Sequence, residues 1–130
     1  SRKDVVVSTS SFVIMGDSQK ERDEMREKVR MQIAFYASTR TYKPVLDVHG
    51  WGDVCQSLNE KASKGEWATM AKDVTNEMLD EYAITGSPDE VSAMLKAKYD
   101  GLLDRVAFYH PDRPGVNDAR WRKIVEAFYT

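Results

Sequence analysis

His110 follows the run Leu103-Asp104-Arg105-Val106-Ala107-Phe108-Tyr109, rich in β-forming residues, and precedes Pro111. Sites in parallel β/α architectures gather at the outgoing ends of the strands, and an imidazole placed there can hydrogen-bond a substrate. The alternative for His110 is a loop histidine braced by Pro111. Phe12 shares one face of an earlier strand with Ser8 and Ser10, while Thr9, Ser11 and Val13 share the other. Small hydroxyls on a strand either leave room for a ligand or fill a tapering core, and the scarcity of pockets favours the core. His110, Tyr109 and Phe12 are therefore the candidate substrate-pocket residues. No catalytic or cofactor-binding residue can be assigned by name.

Other chemistry-bearing groupings are weaker. His49 lies near Asp47 and Asp53, but Gly50-Trp51-Gly52 between them reads as a tight turn that delivers Trp51 to a core. No spacing matches a zinc or calcium signature, so no metal is expected. The amides of Ser87 to Glu90 open a helix, a place that attracts phosphate. Glu90 is instead expected to occupy those donors in a capping box, with Asp89 adding negative charge. No Gly-rich phosphate loop, nucleophile elbow or catalytic carboxylate pair is present.

The elements that must position these residues can be read along the chain. Val5 to Met15 reads as a strand suited to cover on both faces. Gly16-Asp17 turns, and Ser18 with Glu21 opens a helix whose Met25, Val29, Ile33 and Tyr36 share a face. Pro44 ends helix near Ser38. Trp51, Val54, Cys55 and Leu58 form one helical stripe; Trp67, Met70, Ala71, Val74, Met78 and Tyr82 form another. Ala83-Ile84-Thr85 is a short strand, followed by a helix with Ser87 as cap and Pro88 in its first turn. A strand from Leu102 to Tyr109 follows, and Asn117 caps a last helix carrying Trp121, Ile124, Val125 and Phe128.

Two segments carry a family resemblance: Gly86-Ser87-Pro88-Asp89-Glu90-Val91, and Gln32 to Asp53, which includes Tyr36, Tyr42, Pro44 and His49-Gly50-Trp51. The chain resembles the C-terminal part of luciferase-like oxidoreductases from about Val5 to Tyr109. The second segment is the narrower signature and favours the branch that uses the deazaflavin coenzyme F-420. The same broad family includes methylenetetrahydromethanopterin reductase and the flavin-dependent bacterial luciferases. The resemblance implies an α/β fold, a C-terminal fragment of a TIM barrel, helix-rich with two or three parallel strands. It also implies a parent enzyme moving hydride between a deazaflavin and an organic substrate. An FMN-dependent monooxygenase is the alternative, and a non-catalytic helical interaction module derived from the family is another. Within the family most cofactor contacts lie N-terminal to the part represented here.

A closed barrel takes about 250 residues and this chain has 130, so a fragment of a larger enzyme is expected, folded as a single domain over 1–130 and inactive in isolation. Ser1-Arg2-Lys3-Asp4 leading straight into a strand supports that expectation. The formal net charge of −2, with both signs interspersed, leaves no footprint for nucleic acid or an anionic membrane. No apolar run reaches a membrane span, and a cytoplasmic location is the default. A lone cysteine, Cys55, excludes an internal disulfide and reads as a buried thiol. A strand apolar on both faces invites pairing at an open edge, so a homodimer or higher oligomer is expected.

Overall fold

The structure is a computed structural model that describes residues 1–109 and 113–130. The element order is β1 (Ser8–Met15), α1 (Gln19–Ala37), α2 (Lys43–Asp47), α3 (Gly52–Ser63), α4 (Trp67–Met70), α5 (Asn76–Tyr82), β2 (Ala83–Gly86), α6 (Pro88–Tyr99), β3 (Arg105–Phe108) and α7 (Asp118–Phe128). The expected helix-rich α/β chain with a few parallel strands is observed. It divides into two compact units: one of Ser1–Met25 with Asp80–Thr130, the other Arg26–Leu79.

The first unit holds a three-stranded parallel sheet in the order β2-β1-β3. Phe12 to Met15 pair with Ala83 to Gly86, and Ser8 to Ser11 pair with Arg105 to Phe108. β1 is thus the central strand, each half paired on a different side. Successive strands of a closed barrel adjoin in chain order; here β3 lies across β1 from β2. The eight-residue β1 is long enough to pair with both four-residue strands, Ser8 to Ser11 on one side and Phe12 to Met15 on the other. Val5 and Val6 fall outside β1 and are 57% and 61% exposed. The strand begins later than expected because Asp104 draws in the preceding segment: its carboxylate accepts from the Val7 amide at 2.8 Å and pairs with Arg2.

One face of this sheet packs against α6 and α7. Val13 and Met15 of β1, Ile84 of β2, Val91 and Leu95 of α6 and Ile124 of α7 form the buried core, ringed by Tyr99, Val106, Phe108, Trp121 and Phe128. Each fully buried Leu, Ile or Val contributes about 1.5–3 kcal/mol of transfer free energy. Two polar ties fix α6 to α7. Buried Ser92 Oγ donates to the Ile124 carbonyl at 2.8 Å, and Lys96 Nζ donates to the Ala127 carbonyl at 2.8 Å. The second serves a carbonyl in the last turn of α7, where helical acceptors run out. Asn117 stands at the start of α7 in the left-handed region (φ 61°) and gives no side-chain cap. Asp118 Oδ1 accepts from the Gly115 amide at 2.9 Å and closes that loop.

The second unit is helical. Val29, Ile33, Ala34 and Ala37 of α1, Leu46 of α2, Cys55 and Leu58 of α3, Met70 of α4 and Met78 and Leu79 of α5 are buried. The stripe from Trp67 to Tyr82 is not one helix but α4, a 3-10 turn over Ala71–Asp73, and α5. Polar anchors explain the break. The Asp73 carboxylate accepts from Ser57 Oγ at 2.8 Å and Lys61 Nζ at 2.6 Å, and Arg30 donates to the Val74 carbonyl and to Asn76 Oδ1. Thr75 Oγ1 then accepts from the Met78 amide at 3.2 Å and restarts the helix.

Candidate functional site

Parallel pairing brings the outgoing ends of all three strands to one side of the sheet: Gly16-Asp17 after β1, Gly86-Ser87 after β2 and Tyr109 after β3. Gly16 is required where it stands, because a Cβ there would lie 2.6 Å from the Glu21 Cβ in the first turn of α1. The close approach lets Glu21 Oε2 accept from the Asp17 amide at 2.7 Å while Ser18 Oγ accepts from the Glu21 amide at 3.1 Å. The backbone amides of Asp17 and Ser18 hold the Glu21 carboxyl below its ordinary value near 4.5. At α6 the expected capping box forms: Ser87 donates from both its amide and its hydroxyl to Glu90 Oε2, each at 2.9 Å. The Ser87 amide, then its hydroxyl, hold the Glu90 carboxyl low in the same way.

Cations from α7 complete this rim. Arg120 pairs with Asp17 after β1, and Lys123 Nζ lies 2.5 Å from Asp89 Oδ1 in the first turn of α6. The Asp89 carboxylate raises the Lys123 ammonium above its ordinary value. Arg22 donates to the Gly16 carbonyl at 2.7 Å. Sequence reasoning missed the α7 pairs, because partners some 30 and 100 positions apart leave no local spacing to read.

Phe12 and Tyr109, both expected to line a pocket, come together on the sheet face opposite α6 and α7. Their rings meet edge to face with centroids 5.0 Å apart. Tyr109 donates its amide to the Ser11 carbonyl at 2.8 Å, which fixes its register at the end of β3. Ser8, Ser10, Arg105 and Ala107 on this face are exposed, so Ser8 and Ser10 do not fill a core; Ser11, on the opposite face, is buried. Thr85 stands beside Ile14 in register, and its Oγ1 is buried without a hydrogen-bond partner. His110 lies outside the described residues.

The narrower signature segment sits in the helical unit. Phe35, Tyr36 and Tyr42 make successive ring contacts, with centroids 5.7 and 5.8 Å apart, and Phe35 also meets Trp67 at 6.3 Å. Trp51 is half-buried and stacks on His49 at 4.6 Å. Asp47 is not arranged as a metal ligand: it pairs with Lys43 Nζ at 2.7 Å, and a Cβ at Gly52 would run into its carboxylate. Asp47 thus closes the start of α3, and its hydrogen bond raises the Lys43 ammonium. Among the described residues no group of three or more His, Cys, Asp or Glu side chains could hold a metal ion. Cys55 is buried. No described helix is long and apolar enough to cross a membrane.

An anionic cofactor needs free donors, and the amides of Asp17 and Ser87, just before α1 and α6, already serve Glu21 and Glu90. The rim cations Arg120 and Lys123 are paired with Asp17 and Asp89. These four donors are thus engaged within the chain rather than offered to a deazaflavin or flavin.

The family model of luciferase-like monooxygenases matches residues 1–105. An uncharacterized protein of Mycobacterium tuberculosis (strain ATCC 25618 / H37Rv) is 37% identical over 100 residues, which cover 77% of this chain and 29% of that protein. The same figures hold for an uncharacterized protein of Mycobacterium bovis. The 5,10-methylenetetrahydromethanopterin reductase of Archaeoglobus fulgidus is 38% identical over 77 residues, 55% of this chain and 23% of that enzyme. No solved structure matches the chain. The matched region spans less than a third of the length of these curated relatives. By the match over residues 1–105, the chain belongs to the luciferase-like monooxygenase family.

Proposed function

We propose that this chain is the C-terminal portion of a luciferase-like oxidoreductase in which hydride passes between a deazaflavin coenzyme and an organic substrate. The observation that carries this reading is the 38% identity to an archaeal reductase of the same family. In such an enzyme the cofactor supplies the redox chemistry, and the protein binds, orients and excludes water. The share of this chain is structural and substrate-facing. The Phe12–Tyr109 pair offers an apolar wall with one phenolic hydroxyl, and the self-capped strand ends hold that wall in place. The monooxygenase description of the family favours a second reading, in which reduced FMN and oxygen replace the deazaflavin.

Turnover separates the two. The complete enzyme containing this segment is expected to oxidise or reduce the deazaflavin with a panel of carbonyl, imine and alkene substrates. Oxygen-dependent turnover with reduced FMN would replace the first reading with the second. No turnover with either cofactor would overturn both.

A further inference from the structure

The turn from α6 into β3 runs Tyr99-Asp100-Gly101-Leu102, with Asp100 as the residue that ends the helix (φ −57°, ψ 133°) and Gly101 at φ 73°. The Asp100 amide donates to the Lys96 carbonyl at 2.8 Å, and the Leu102 and Leu103 amides donate to the Tyr99 carbonyl at 3.0 and 3.2 Å. Between them the Gly101 amide makes no hydrogen bond among the described residues. The Asp100 carboxylate makes no hydrogen bond or ion pair among them either. Both residues are exposed. A Cβ at Gly101 would meet no atom within 4 Å, so the flank beside the Asp100 carboxyl is open, and glycine itself leaves its nitrogen unshielded. Asp17-Ser18 offers the contrast. There the carboxylate is paired with Arg120, and the Ser18 amide is held by the Glu21 carboxylate.

We propose that Asp100-Gly101 is a site of spontaneous isoaspartate formation, a covalent change of the main chain where it leaves α6. The Gly101 nitrogen attacks the carbon of the Asp100 side-chain carboxyl. A C–N bond forms, the carboxyl hydroxyl leaves as water with the amide proton, and a cyclic succinimide results. Water then adds back to the imide. Opening at the main-chain carbonyl leaves the chain linked through the Asp100 side chain, with the α-carboxylate free. One water is lost and one gained, and nothing is oxidised or reduced. The product carries an extra methylene in the main chain, inside the turn that Leu102 closes on Tyr99. It also lies just ahead of Asp104, whose carboxylate accepts from the Val7 amide at 2.8 Å. The change therefore loosens the last turn of α6 and the entry to β3. The free α-carboxylate makes the product a substrate for methyltransferases that esterify isoaspartate. The reacting atoms belong to neighbouring residues, so the site needs no other part of the polypeptide and is independent of the redox reading.

The test ages the complete enzyme containing this segment at neutral pH and physiological temperature, then maps its peptides by electron-transfer fragmentation, which separates isoaspartate from aspartate. Isoaspartate should accumulate at Asp100 at least about tenfold faster than at Asp17, because the Ser18 amide must first leave a charged acceptor. Isoaspartyl methyltransferase with S-adenosylmethionine should label the aged enzyme on the peptide that contains Asp100. Hydrogen exchange over residues 96–103 should quicken on ageing. Asp100→Glu keeps the carboxylate but disfavours closure of the ring, so it should abolish both the label on that peptide and the quickened exchange. Matching circular dichroism of the fresh proteins confirms that the variant folds. Asp100→Asn should reach the same succinimide faster, by losing ammonia. Unchanged aspartate at 100, equal accumulation at 17 and 100, or exchange that quickens equally in Asp100→Glu would overturn the proposal.

Discussion

The Glu90 carboxylate reaches both the amide and the hydroxyl of Ser87, each at 2.9 Å, so the first turn of α6 is closed by its own side chain. An open helix N-terminus attracts anions; this one already holds one. Ser87→Ala removes half of the reciprocal cap and is expected to cost about 1 kcal/mol, read from urea unfolding midpoints. Ser87→Gly should cost only a few tenths. An unchanged midpoint for Ser87→Ala would show that the box does not hold α6.

Acid should lower the stability of the chain through groups of the same kind. Glu21, Glu90 and Asp104 all have carboxyls held below their ordinary values, Glu21 and Glu90 by backbone amides first and Asp104 by Arg2 first. A carboxyl lowered by folding contributes stability that is present above its unfolded value and lost as pH falls through its folded one. Thermal midpoints should therefore decline once pH drops below about 4.5, the ordinary Glu value. The double variant Glu21→Gln with Glu90→Gln should start lower and decline less steeply. Equal slopes for variant and parent would contradict this assignment.

Alkali acts on the cations with the opposite sign. Asp89 raises Lys123 and Asp47 raises Lys43, so each contributes fully below about 10.5 and the contribution disappears as pH rises through the folded value. Lys123→Met should therefore flatten the alkaline limb of the stability profile. A profile identical to the parent's would show that the α7 cation contributes nothing to holding α6.

Thr85 gives a prediction of the opposite direction. Its buried Oγ1 has no partner. Thr85→Val is close to isosteric and removes the unpaired group, so it should stabilise the chain by about 1 kcal/mol, while Thr85→Ser should not. A destabilised Thr85→Val would mean that the hydroxyl is hydrogen-bonded in solution.

Local signals were legible in the sequence and distant ones were not. The Ser87–Glu90 box, the Gly16 turn, α6 and the short β2 follow from spacings within one or two turns. The buried Cys55 follows from its helical stripe. The break between α4 and α5 was not legible, because Ser57, Lys61 and Arg30 that cause it lie up to 46 positions away from their partners. Nor was the strand order: nothing in the composition of β3 says on which side of β1 it pairs. Phe12 and Tyr109 were named separately, and only the register of β1 with β3 shows that they touch.

The most direct test of the proposed function is a fluorescence titration of oxidised deazaflavin coenzyme into two proteins, the complete enzyme containing this segment and the 130-residue chain. The strand ends described here are self-capped, and in barrels the binding groups come from several strand ends held in fixed mutual geometry. The expected result is saturable binding at micromolar concentration or below for the complete enzyme and none for the chain at a hundredfold higher concentration. Tight binding by the chain, or no binding by the complete enzyme, would contradict the assignment of this segment as the cofactor-free C-terminal part of a deazaflavin oxidoreductase.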